Sequence, residues 1–171
     1  MSDSWPKDEV AAEDERATLV AFLGHQRGFL IRKASGLTEE QVRLASCPPS
    51  DLTLLGLVRH AAEVERYWAK AAFGGLDVAH LYESEAHPDG DPNGDFHPPS
   101  EANLADALVT LRNEAGEADR IYESARLDDI EKCDRAFYSL RWILVHLIEE
   151  YARHLGHADL IRQAIDGQTG E

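Results

Sequence analysis

Apolar residues recur at three- and four-residue intervals in four stretches of the chain, the spacing of amphipathic helices that each bury one face. The first stretch covers residues 15–34, where Leu19, Phe22, Leu23, Phe29, Leu30 and Ile31 fall near that spacing. Gly36 follows as a C-terminal stop. Thr38-Glu39-Glu40-Gln41 has the form of a capping box and predicts a short helical turn. Cys47-Pro48-Pro49-Ser50 reads as a rigid connector, after which Ser50 or Asp51 can cap a second helix over 51–73 that stops at Gly74-Gly75. The third stretch, 101–126, carries the stripe Leu104, Leu108, Leu111 and Ala115. The last and strongest spans 139–165 and ends at Gly167.

Between the second and third stretches, residues 76–100 hold four prolines and the run HPDGDPNGDFHPPS, which is too broken for regular structure. A connection of that length in a small domain is usually a lid or a poorly ordered segment. No alternating strand pattern stands out, although 133–137 could be briefly extended. Four long helices with irregular connections predict an all-α four-helix bundle. Residues 1–14 are polar and acidic and read as a flexible N-terminal arm, leaving 15–167 as one domain.

Composition narrows the function. The 32 acidic and 17 basic residues give a net charge of −15, a field that repels phosphate backbones and anionic lipid. Neither nucleic acid nor membrane is therefore an expected partner, and the acid is read as serving solubility. Two cysteines, Cys47 and Cys133, form neither a CxxC pair nor a disulfide framework, which suits a reducing cytoplasm. No signal peptide and no membrane-spanning run is visible.

The chemistry concentrates on the last helix. With 100° per residue and His146 taken as zero, Glu150 falls at roughly 40°, His154 at roughly 80° and His157 at roughly 20°. Ile143 and Ile161 lie at roughly 60°, so these donors interleave with residues of the core. Glu149, at roughly 300°, points away. Glu150 and His154, one turn apart, can bring a carboxylate oxygen and an imidazole nitrogen to one ion, or can simply hydrogen-bond to each other. A third donor brings the ion level with the plain hydrogen bond. His60, on the second helix, shares its face with Thr53, Leu57, Val64 and Ala71, and faces the same bundle interior. One histidine plus a Glu/His pair leaves a coordination position open for water or substrate. His157 and His146 are candidates to stand behind the ligands. Trp68 and Trp142 read as core, His25 has no obvious partner, and His80, His87 and His97 read as solvated. No phosphate loop, GxSxG elbow or Cys/His nucleophile pair is present.

The segments LTLLGLVRHAAEVERYW and LRWILVHLIEEYARHLGHADLIRQAIDG resemble the DinB superfamily, in particular its actinobacterial mini-circle-like branch of unknown function. The similarity spans residues 15–167. It implies a four-helix bundle with three ligands to a divalent metal, commonly zinc or nickel. His60 occupies the place of the family's second-helix histidine, and His154-Leu155-Gly156 matches the second half of its His-x3-His motif. Glu150 departs from the all-histidine set and resembles the His/Glu/His set of the mycothiol-dependent maleylpyruvate isomerases. Related proteins are largely transferases or isomerases that use mycothiol or bacillithiol. The resemblance thus points to a thiol-dependent reaction on a small electrophile, and the segment 76–100 is a candidate cover for the pocket. Two other readings stay open: a metal-dependent hydrolase with His157 or a nearby carboxylate as base, and a non-catalytic metal- or ligand-binding bundle. A homodimer is the expected assembly.

Overall fold

A computed structural model of the protein describes residues 14–82, 93–131 and 137–169. Its elements are α1 (Glu15–Ala34), a single turn α2 (Glu39–Val42), α3 (Leu54–Arg66), which runs into a π-helical segment (Tyr67–Phe73), α4 (Leu104–Glu123) and α5 (Leu140–Asp166). The fold is all-α. Helix α1 lies along α5, α3 lies along α4, and α3 touches both α1 and α5, which makes it the element around which the bundle closes. None of these helices is long and apolar enough to cross a membrane.

Local chemistry sets the boundaries. The Asp14 carboxylate accepts from the Ala17 N–H and caps the start of α1. Residues 1–13 lie outside the described residues. Thr38 and Gln41 exchange both hydrogen bonds of the capping box. The second long helix begins at Leu54 rather than at residue 51, because Thr53 Oγ1 takes the Gly56 N–H while Ser50 Oγ is occupied by Leu52 N. Asn103 and Ser139 cap α4 and α5 with their own side chains. Gly167, at φ 78°, closes α5 by donating its N–H to Gln163 O. Its left-handed backbone carries little penalty for glycine.

From Leu54 to Phe73 the predicted second helix is continuous in the structure but changes its winding after Arg66. From Tyr67 the hydrogen bonds reach one residue further, and Gly74 N bonds Ala69 O at 2.9 Å. The brief extended segment expected at 133–137 falls mostly outside the described residues. Around it, Ile130 and Ser139 form an isolated antiparallel bridge.

The core is leucine-rich. Leu23, Leu30, Leu54, Leu55, Leu57, Leu111, Leu140, Ile143, Leu144 and Leu147 are buried almost completely. Among them sits a carboxylate, Glu65, at 0% exposure. Arg27 of α1 binds it with a fork, Nε to Oε1 at 2.6 Å and Nη2 to Oε2 at 2.8 Å, and the Tyr151 hydroxyl donates to Oε1 at 2.9 Å. A buried charge without such partners would be strongly destabilising. The three residues tie α1, α3 and α5 together at one level of the bundle, immediately beside Glu150.

Trp142 was expected in the core and is instead 41% exposed. It stacks between Tyr138 (ring centroids 3.9 Å apart) and His146 (5.0 Å), with Trp68 against the side of the stack. Ring-on-ring contact accounts for its helical spacing to the core residues without requiring full burial.

Candidate functional site

The site is built where α3 and α5 face each other. On α3, Leu57, Ala61 and Val64 turn inward, and His60 emerges beside them at the edge of the interior. On α5, Glu150 and His154 stand one turn apart, with Tyr151 and Leu155 filling the core between them. The three residues marked by the sequence pattern come together. Glu150 Oε1 lies 3.1 Å from His60 Nε2 and 3.1 Å from His154 Nε2. One donor atom from each lies within 4.8 Å of the others. Their side chains are 16%, 13% and 14% exposed, which leaves the cluster reachable from solvent.

These separations suit a shared ion. Donors at about 2.0–2.1 Å from a tetrahedral ion sit roughly 3.3 Å from one another, close to the observed 3.1 Å. Two imidazoles and one carboxylate form a mixed nitrogen and oxygen donor set of the kind that divalent transition metals accept. A pocket lined by Leu30, Leu57, Ala61, Val64 and Tyr151 lies against the donors on the bundle side, so that flank of the site is apolar.

The electrostatics follow from the packing. Burial works against a charged His60 ring, but the hydrogen bonds and charges of Asp95 and Glu150 outweigh it and raise the pKa above the ordinary value. For His154, burial dominates, the nearby His60 adds to it, and the pKa is lowered. Glu150 is also partly desolvated, yet the two imidazoles hold its carboxyl below the usual range. Arg153 Nη1, 3.4 Å from Glu150 Oε2, adds a cation on the outer side.

Beyond this trio the sequence expectations divide. His157 Nδ1 lies 3.4 Å from His154 Nδ1, behind the ligand candidate. His146 lies within the Trp142 and Trp68 aromatic cluster, with Nδ1 3.7 Å from Glu149. His80 pairs with Glu63 and His97 with Asp51 on the surface, while His87 lies outside the described residues. His25 packs between Phe22 and Phe29. Cys47 is half-buried and carries no disulfide, and Cys133 is outside the described residues.

Two site residues escaped the sequence reading, and both come from the proline-rich connection. Asp95 Oδ2 lies 2.6 Å from His60 Nδ1, and the Phe96 ring stacks on His60 with centroids 4.2 Å apart. Contact with His60 and the N–H groups of Phe96 and Asp95 keep the Asp95 carboxyl below its ordinary range despite partial burial. The turn residues Asn93-Gly94-Asp95-Phe96 mark a compact turn in the sequence, but not that it packs against His60.

A family model described as mycothiol-S-transferase matches residues 18–167. The chain belongs to that family. It is a DinB-like family, in keeping with the all-α bundle. No curated protein matches the chain. A solved structure described as the conserved protein of locus from Enterococcus faecalis is similar in fold, with a TM-score of 0.63 over 92% of this chain and 100% of that one. At 14% identity that likeness speaks for the fold alone.

Proposed function

We propose that the protein is a metal-dependent thiol S-transferase that joins mycothiol to a small electrophilic molecule, with zinc or nickel held by His60, Glu150 and His154. The observation that carries this reading is the convergence of one donor atom from each of those residues within 4.8 Å, at a junction between α3 and α5 that solvent can reach. Family membership supports the thiol. A divalent ion bound there would act as a Lewis acid, lowering the pKa of a bound thiol so that the thiolate persists at neutral pH.

The chain's own residues supply the frame. His60 and His154 present ring nitrogens from two different helices, so the position of the site depends on how α3 and α5 are packed. Glu150 contributes the negative charge that a cation needs in a half-buried setting. Phe96 covers one face of His60, and Leu57, Ala61 and Val64 keep the inner flank apolar. In the reaction the thiol sulfur forms a bond to the electrophilic carbon, and the thiol proton passes to solvent. The electron pair released at carbon stays on a leaving group or is protonated within the product. No protein cysteine is required, because the sulfur arrives with the co-substrate.

The test is incubation of metal-loaded, untagged protein with mycothiol and an activated haloarene. The expected result is a thioether product that disappears on chelation and returns with added metal. Substrate hydrolysis without thiol, or no thioether from fully loaded protein, would reject the proposal.

A further inference from the structure

We infer that Asp95 is a positioning residue for the candidate metal centre, fixing the His60 ring so that Nε2 is the nitrogen offered to the ion. The consequence for metal affinity rests on the function proposed above, whereas the effect on the ring itself does not.

The contact between His60 Nδ1 and Asp95 Oδ2, at 2.6 Å, is short even for a charge-assisted hydrogen bond. An ionised carboxylate only accepts, so Nδ1 must carry the proton that it receives. In the neutral ring the lone pair then falls on Nε2, the atom facing Glu150. Such a carboxylate behind a ligating histidine sets both tautomer and ring direction.

The turn carrying Asp95 is built to hold it there. Asn93 O accepts from Phe96 N and His97 N, at 2.9 and 3.1 Å, which folds residues 93–97 back on themselves. Arg59, the neighbour of His60 and only 8% exposed, donates to Gly94 O at 3.0 Å and to Asp95 O at 3.1 Å. Asp95 Oδ1 accepts from Phe96 N at 3.0 Å, so both carboxylate oxygens are engaged. Phe96 O presses so closely on α3 that a Cβ at position 56 would meet it at 2.6 Å. Gly56 is what admits the turn to the helix. Backbone contacts therefore anchor the turn, and the Asp95 side chain is left to act on the imidazole.

The experiment compares wild type, Asp95→Ala and Asp95→Asn by two readouts. Long-range nitrogen–proton NMR of metal-free protein, at a pH where His60 is neutral, reports the tautomer. Cobalt(II) titration followed by optical absorbance reports affinity. Wild type should show Nδ1–H. Asp95→Ala should revert to the Nε2–H form that free histidine favours, and should bind cobalt about ten- to a hundredfold more weakly. Asp95→Asn, which can still accept from Nδ1–H, should retain the tautomer and lose less affinity. Helical circular dichroism controls for folding, and if the Ala variant unfolds, the tautomer of the wild-type ring decides the matter. A wild-type Nε2–H ring, or an Ala variant with unchanged tautomer and cobalt affinity, would overturn the inference. If wild type binds no cobalt, the functional proposal fails and the NMR comparison alone judges Asp95.

Discussion

Removing the Tyr151 hydroxyl should destabilise the bundle measurably, because its acceptor is a carboxylate with no access to water. Glu65 is 0% exposed and is held by two bonds from Arg27 and one from Tyr151. Burial pushes the Tyr151 hydroxyl well above its ordinary pKa, so it remains a donor. Tyr151→Phe deletes one bond to a charged group, a loss of about 1.5–3 kcal/mol, which for a chain of this size lowers Tm by roughly 3–12 °C. Arg27→Leu should cost about 3–5 kcal/mol, since it leaves the carboxylate nearly alone in the core. Replacing both Arg27 and Glu65 by leucine should recover much of that loss, because no buried charge is then unpaired. The Arg27–Asp119 contact, on a half-exposed carboxylate, contributes little to this comparison. Urea unfolding followed by circular dichroism measures all three variants. An unchanged midpoint for Tyr151→Phe, together with a loss below about 1 kcal/mol for Arg27→Leu, would refute the view that this network is a structural tie.

Other consequences can be checked alongside. Gly56→Ala should weaken the fold by about 1–3 kcal/mol in urea unfolding, because the atom it would meet at 2.6 Å is the rigid carbonyl of Phe96. Gly116→Ala, where a Cβ meets nothing within 4 Å, should stabilise α4 by up to about 1 kcal/mol in the same assay. The hydrogen bond from Arg162 holds the Asp166 carboxyl below the usual carboxylate range. Its contribution is therefore present above the unfolded-state pKa and lost as pH falls through the lower folded value. Asp166→Asn should be less stable than wild type near neutral pH and converge with it in acid, as read from unfolding curves across that window. Glu150→Gln preserves shape but removes charge, and metal affinity measured against a competing chelator should fall about ten- to a hundredfold.

What the sequence revealed and what it hid divide along physical lines. The four long helices were legible because each buries one face, and the 3.6-residue period records that burial directly. His60, Glu150 and His154 were legible for the same reason: they interrupt apolar faces where carboxylate and imidazole need a partner. The π winding at Tyr67–Phe73 was not, since seven residues are too few to separate one helical period from another. Helix α3 was placed to begin too early because Ser50, Asp51 and Thr53 can all cap, and only the folded backbone selects Thr53. The Arg27–Glu65 pair joins residues 38 apart and leaves no periodic trace. Asp95 was hidden most completely. Its role depends on a turn that packs against α3 through Arg59 and Gly56, and a stretch rich in proline and glycine gives no sign of where its side chains will be carried.

The central claim, a metal held by residues of two helices, is tested most directly by anomalous diffraction at the absorption edge of the metal that co-purifies with the protein. The expected result is a single strong peak about 2.0–2.2 Å from His60 Nε2, Glu150 Oε1 and His154 Nε2. A peak elsewhere, or none at this cluster in crystals of protein shown to contain stoichiometric metal, would contradict it.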